Sequence, residues 1–132
     1  MKRVAVIGAG VAGLPAIKQC LEEGLHPVCY EMRDGIGGLW RYTDELVDNQ
    51  GCVMNNTVTN TPKEQTSYSD FLFPKEFPNF LKHSKYLEYL ELYAKHFDLL
   101  KHIHFHTKVL KVAPSGDYDA TGQWDLKVSG HQ

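Results

Sequence analysis

The sequence predicts an α/β fold that opens on a βαβ crossover and continues into a helical and β-rich excursion, and three observations predict it. Lys2 to Ile7 is a short apolar-rich run, and Gly8-Ala9-Gly10-Val11-Ala12-Gly13 follows directly as G-x-G-x-x-G. A helical stretch then runs to about Glu23 and leads into a second apolar run, His26 to Tyr30. Glu31 closes that run, 18 residues after Gly13. Strand, glycine turn, helix, strand and acid, in that order, form the Rossmann-like unit that holds an ADP moiety.

Each part has a physical reason. Gly8 allows a tight turn that a Cβ would obstruct, Gly10 lets a pyrophosphate approach the backbone, and Gly13 lets the helix lie close against the sheet. The helix is expected to begin near Val11, with Ala12 in its first turn, so that its unpaired N–H groups and positive dipole end face the phosphates. Pro15 would fall near the fifth helical position and delete an early backbone hydrogen bond at small cost. Glu31 can accept from both ribose hydroxyls and would repel a 2′-phosphate, which favours NAD or FAD over NADP at this first site.

The 132 residues suffice for one domain with its own core. With 42% hydrophobic and 23% charged residues and a net charge of −2, the chain reads as ordinary and globular, without the basic excess of a nucleic-acid partner. No apolar stretch approaches the roughly 20 residues that span a bilayer, and Met1 leads straight into the first strand, so neither membrane segment nor signal peptide is expected. Cys20, Cys29 and Cys52 lack metal spacing and suit reduced thiols in a cytoplasmic setting, the first two as buried side chains.

Arg33-Asp34-Gly35-Ile36-Gly37-Gly38-Leu39-Trp40 follows the acid, and three glycines in four positions make a loop able to lie flush against a ligand. Such a loop fits FAD better than NAD, because FAD extends past its ADP part toward the isoalloxazine ring. Gly38, Leu39 and Trp40 would then hold the flavin end. The alternative is a surface turn with Trp40 in the core.

Residues 41–82 read as a mainly irregular active-site loop region. From Ser84, a plausible N-cap, to Phe97 the pattern is an amphipathic helix. Leu87, Leu90, Ala94 and Phe97 face inward, Lys85, Glu88, Glu91 and Lys95 face mostly outward, and Tyr86, Tyr89 and Tyr93 are packing residues. His102-Ile103-His104-Phe105-His106 alternates as a strand does, and its histidines lack a carboxylate at metal-site spacing, so no metal is expected. Thr107 to Ala113 continue the sheet, Ser115-Gly116-Asp117 turn, and Gln123 to Val128 form a further strand.

Several of these motifs together resemble one family. GAGVAGL, the R-x-G-x-x-GGLW run, Thr59-Asn60-Thr61-Pro62-Lys63-Glu64, Asp70 to Phe80, and Thr121-Gly122-Gln123-Trp124-Asp125 resemble the amino-terminal part of flavin-containing monooxygenases over essentially the whole chain. Disulfide reductases share the nucleotide motif, but no redox cysteine pair stands between Gly38 and Gly51.

The resemblance implies that residues 1–132 are a partial FAD-binding domain. Residues 1–40 would carry the crossover and glycine loop, 41–82 the active-site loop region, and 83–132 the helix and β excursion. It implies FAD and NADPH as cofactors, with the NADPH site mostly outside the chain, and O₂ with an amine or sulfide as substrates. The oxygenating species would be a flavin C4a-hydroperoxide. Asn60, flanked by Thr59 and Thr61, would be the catalytic asparagine at the reactive edge of the flavin. Read without the family, it is a turn residue before Thr-Pro.

Ser129-Gly130-His131 resembles the family's segment leading to the NADPH domain but comes about twenty residues early, so the chain reads as a fragment or shortened variant. Two alternatives stand beside the oxygenase: a non-catalytic nucleotide-binding or interaction fragment, and a Baeyer–Villiger type flavin monooxygenase. For a full-length parent, attachment to the cytosolic face of the endoplasmic reticulum is a further implication of the family.

Overall fold

The parallel sheet begins with β1 (Arg3–Ile7), which hydrogen-bonds β2 (His26–Tyr30) in register from Arg3 opposite His26 to Ile7 opposite Tyr30. The crossover between them is α1 (Gly13–Glu22). The structure is a computed structural model describing residues 1–130, so the His131 end of the Ser-Gly-His segment lies outside the described residues. After the glycine loop come α2 (Lys63–Thr66), α3 (His83–His96), β3 (Ile103–His104), β4 (Val109–Pro114), α4 (Tyr118–Thr121) and β5 (Trp124–Val128). β3 joins the far side of β2 in parallel, giving the order β1-β2-β3, whereas β4 and β5 form a separate antiparallel pair.

α1 starts at Gly13, two residues later than the pattern suggests, because Val11 and Ala12 belong to the turn. Pro15 is therefore its third residue, in the first turn, where the missing N–H leaves a single carbonyl, that of Val11, without its helical partner. The helix seats Leu14 and Ile17, both fully buried. Lys18 is also buried, its ammonium 2.6 Å from Asp70 and 2.5 Å from Glu22. Those two carboxylates, Asp70 first, raise its pKa, and the charge lies 5.1 Å from the Phe97 ring centre.

The second half of the core is aromatic. α3 buries Tyr86, Tyr89, Leu90, Tyr93 and Ala94, while Leu87 and Phe97, expected on the inward face, are half-buried. Phe73 stacks on Tyr89 at 3.7 Å between ring centres, and Phe71 meets Tyr89 and Tyr93. Tyr86 and Tyr93 face inward through ring packing, the Tyr93 hydroxyl having no partner among the described residues, whereas the irregular segment supplies partners for the Tyr89 hydroxyl. Tyr89 donates to the Phe71 carbonyl and accepts from the Tyr68 N–H at 2.9 Å. Residues 41–82 are thereby tied down with little regular structure beyond α2 and the isolated bridges Val58–Lys82 and Tyr68–Phe71. Ser84 is not the cap of α3. The helix begins one residue earlier, after Lys82, and no side chain caps it.

Two strand expectations fail for one reason. The alternating His102–His106 run pairs only through Ile103 and His104, and His102 lies in a preceding turn of 3₁₀-helix. His106 adopts a left-handed φ of 51° as the chain swings across the carboxyl end of β2. There the His106 N–H bonds the Arg33 carbonyl and the Thr107 N–H bonds the Glu31 carbonyl, at 3.0 and 2.9 Å. Thr107 to Ala113 consequently leave the parallel sheet and build β4 of the second one.

Candidate nucleotide site

The glycine turn sits at the carboxyl end of β1. Gly8 holds φ at +90°, and a Cβ there would meet nothing within 4 Å, so backbone conformation rather than obstruction demands glycine. Gly13 is the sterically locked position: a Cβ built on it would lie 1.9 Å from the Gly8 carbonyl oxygen. Gly10 faces the second glycine loop, where a Cβ would stand 3.6 Å from the Gly38 Cα, an ordinary contact.

Backbone donors around α1 divide sharply. The Leu14 N–H bonds the Gly10 carbonyl at 3.1 Å and the Ala16 N–H bonds the Ala12 carbonyl at 3.3 Å. Between them, the Val11 carbonyl is denied its partner because residue 15 is proline, and it accepts from the Tyr68 hydroxyl at 2.5 Å instead. Among the described residues, the N–H groups of Gly10, Val11, Ala12 and Gly13 have no acceptor in the protein. Four consecutive open donors at the positive end of a helix form a seat for an anion.

Glu31 follows β2 and is 5% exposed. Its Oε2 accepts from the Ala9 N–H at 2.8 Å and its Oε1 from the Arg33 N–H at 2.9 Å, so the carboxylate braces the turn and each oxygen retains a further lone pair. Beneath it, the Cys29 thiol points at the Gly8 carbonyl at 3.5 Å. Burial, and then the charge of Glu31, pushes that thiol up to about 12, so it stays protonated. Cys20 is only half-buried.

The second glycine loop docks on the first. Gly37, at φ +113°, donates its N–H to the Ala9 carbonyl at 2.9 Å, and Leu87 of α3 fills the place a Gly37 side chain would need. The Arg41 Nε donates to the Ile36 carbonyl at 2.7 Å, and its Nη2 reaches Glu91 of α3 at 3.2 Å. α3 thus supports the loop from behind.

A cleft of about 350 Å³ lies at the carboxyl ends of β1 and β2, lined by Ile7, Gly8, Tyr30, Glu31, Met32, Arg33, Gly38, Leu39, Asn49, Gln50, Gly51, Thr107, Lys108 and Val109. This is the place where open α/β sheets bind ligands, at the lower end of the usual range of roughly 300–1,000 Å³. Of the residues singled out in the sequence, Gly8, Glu31, Gly38 and Leu39 stand in its walls. Ala9 lies buried behind them, and Gly10, Val11, Ala12 and Gly13 continue the turn beyond the cleft lining.

Trp40 is half-buried, meeting the edge of Tyr86 at 4.6 Å between ring centres. Thr59 is buried, its hydroxyl donating to the Thr61 carbonyl at 3.1 Å and accepting from the Leu81 N–H at 2.9 Å. Asn60 is exposed, and Thr61 shares a hydroxyl contact with Thr66 at 2.7 Å. None of these four residues lines the cleft.

Sequence reasoning missed the far wall, Thr107 to Val109, and the covering segment Asn49 to Gly51. The first reaches Glu31 only through the long-range backbone bond from Thr107, for which no local spacing stands. Arg33 was legible as part of the loop but not as a wall.

A family model described as Flavin-binding monooxygenase-like matches residues 1–132. The chain belongs to that family. It is 51% identical over 131 residues to human flavin-containing monooxygenase 1, covering 99% of this chain and 24% of the relative. To rat dimethylaniline monooxygenase (N-oxide-forming) 2 the identity is 48%, with the same coverage. Among solved structures, S-allyl-L-cysteine S-oxygenase from Allium sativum superposes with a TM-score of 0.87 at 26% identity, over 98% of this chain and 32% of that one. This flavin-binding monooxygenase-like chain therefore spans about a quarter of the length of the curated relatives it matches. Among its described residues no helix is long and apolar enough to cross a membrane, and no group of three or more His, Cys, Asp or Glu is placed to hold a metal ion.

Proposed function

We propose that this chain holds FAD across its glycine turn, as part of an NADPH- and O₂-dependent monooxygenase that oxygenates nucleophilic nitrogen or sulfur. The observation that carries the reading is the run of open donors at Gly10 to Gly13, beside two glycine segments that touch through bare backbone. A diphosphate satisfies such donors, and the absence of side chains at Gly10 and Gly38 leaves a cradle that Cβ atoms would narrow.

Glu31 would accept from the ribose through the lone pairs not used by Ala9 and Arg33. The cleft walls at Tyr30, Met32 and Thr107 to Val109 would enclose the nucleoside end. Leu39, 55% exposed in the wall, and Gly38 would border the chain toward the flavin, with Trp40 fixing the loop from the Tyr86 side. Asn60, whose exposed amide can both donate and accept without titrating, would serve the reacting atoms at the flavin end. Bound FAD supplies the redox chemistry with O₂ and NADPH, and the protein supplies orientation and exclusion of water. Nitrogen and sulfur as the oxygenated atoms are supported by the N-oxide-forming and S-oxygenase relatives.

Gly10→Ala tests the seat. Its Cβ meets only ordinary contact inside the protein, so the fold should persist while the approach of the diphosphate is obstructed. We expect an unchanged thermal midpoint and FAD affinity about tenfold weaker or worse by fluorescence titration. Equal FAD affinity in both proteins would refute the assignment. Because the relatives are about four times as long, NADPH oxidation by these 132 residues with FAD and a tertiary amine is expected to be marginal. Brisk, substrate-dependent oxidation would show that the chain needs nothing more.

A further inference from the structure

We propose that Arg33 is a positioning residue that sets the gap between the two glycine segments, and with it the path by which FAD extends past its ADP part. The proposal rests on the FAD reading above.

Arg33 closes a ring of hydrogen bonds at the cleft mouth. Its N–H donates to Glu31 Oε1, whose partner Oε2 accepts from the Ala9 N–H. Its guanidinium spans outward, Nη1 donating to the Gly38 carbonyl and Nη2 to the Arg41 carbonyl, both at 2.9 Å. The Gly37 N–H then returns to the Ala9 carbonyl at 2.9 Å and completes the circuit. Gly38, inside this ring, is held at φ +54° with its Cα near Gly10.

The charge does something here that a neutral packing residue would not. Both terminal nitrogens of the guanidinium are committed to backbone carbonyls, and charge-assisted bonds of this kind are stronger than neutral ones. These two bonds turn the fork toward the loop backbone, although an arginine two residues after the ribose acid would otherwise suggest a 2′-phosphate partner. The guanidinium turns the Gly38 and Arg41 carbonyls toward itself and so fixes the backbone between them, Leu39 of the cleft wall included. Without that hold, Gly38 and Leu39 lose their fixed place beside Gly10.

On the FAD reading, the Gly38 and Leu39 that Arg33 holds border the riboflavin part that FAD has and ADP lacks, so loss of the hold should weaken FAD more than ADP. Calorimetric titration of the 132-residue chain with FAD and with ADP measures this for the wild type, Arg33→Met and Arg33→Lys. Arg33→Met should weaken FAD about tenfold and ADP by less than about threefold. Lysine, which keeps the charge but not the fork, should fall between. Hydrogen exchange in the absence of nucleotide should show a faster Gly37 amide in Arg33→Met, with α1 and α3 amides as protected as before.

Equal weakening of FAD and ADP, or a Gly37 amide that exchanges no faster, would overturn the proposal while leaving FAD binding standing. A wild type that binds neither nucleotide would remove the FAD reading and the positioning role together. Should Arg33→Met fail to fold, Arg33→Lys carries the same comparison.

Discussion

Removing one hydroxyl should reveal how the irregular segment is fastened to the glycine turn. Tyr68→Phe deletes the donor that occupies the Val11 carbonyl but keeps the ring, which lies 4.5 Å from Tyr93 and 5.8 Å from Tyr89 between centres. The hydroxyl is a neutral donor at all working pH, since burial first, and then the neighbouring tyrosines, raise its pKa far above the ordinary phenol value. A neutral hydrogen bond near the surface contributes about 1 kcal/mol net, and at this chain length that is a fall of about 4 °C in Tm. The decisive comparison adds Pro15→Ala. The flanking bonds Leu14→Gly10 and Ala16→Ala12 are already formed, so an N–H at position 15 completes the ladder and supplies the Val11 carbonyl itself. In the Pro15→Ala background Tyr68→Phe should then cost about 0.3 kcal/mol or less, a coupling of roughly 0.7 kcal/mol across the cycle. Urea denaturation of the four proteins measures it. The same loss in both backgrounds would refute the idea that Tyr68 substitutes for the donor proline removes.

Gly13→Ala should abolish the folded state, because its Cβ would stand 1.9 Å from backbone rather than from a movable side chain; a normal circular-dichroism melt would contradict this. His102 has a buried Nε2 without a partner, and desolvation, then Lys101 and His26, lower its pKa. The folded protein thus favours the neutral ring, so this stability is full above the unfolded pKa of about 6.5 and is lost as pH falls below it. His102→Gln should flatten the decline in Tm between pH 7.5 and 5.5, and parallel declines would remove the explanation. The surface is 8647 Å², roughly 1,600 Å² above the ~7,000 Å² that size scaling gives for a compact 15.0 kDa monomer. With β1 unpaired on one side among the described residues, and Leu110, Val112 and Trp124 exposed on the second sheet, the isolated chain should self-associate with concentration; a constant monomer mass by light scattering would contradict that.

What could be read from the sequence was local. β1, the glycine turn and β2 announce themselves because apolar runs and glycines fix backbone geometry within a few residues. The start of α1 is not legible, because Val11 and Ala12 suit a helix as well as a turn, and only the fold decides that their N–H groups stay open. The inward face of α3 shifts toward its tyrosines because their rings pack against Trp40, Tyr68, Phe71 and Phe73 and the Tyr89 hydroxyl finds carbonyl and N–H partners, which periodicity does not count. The His102–His106 run alternates convincingly, yet the acceptors at Glu31 and Arg33 draw the chain out of the sheet. The same bonds bring Thr107 to Val109 to the cleft, so the strand error and the missed wall share one origin.

The two halves of the site are finished to different degrees, and the difference bears on function. Glu31, Arg33 and Gly37 are bonded to other groups of the chain, so the frame around the cleft is built from the protein's own hydrogen bonds. The four donors from Gly10 to Gly13 remain open in a segment that Gly13 holds flush against Gly8. Open N–H groups in a fixed backbone have already borne the conformational entropy of ordering, so an anion that satisfies them gains hydrogen bonds at little reorganisation cost. A frame closed by the chain's own bonds beside donors that the chain leaves open suits the bound nucleotide proposed above. It also implies linkage: ligand at 100 times its Kd should add about 2.7 kcal/mol to stability, acting first through the amino-terminal crossover where the seat is built.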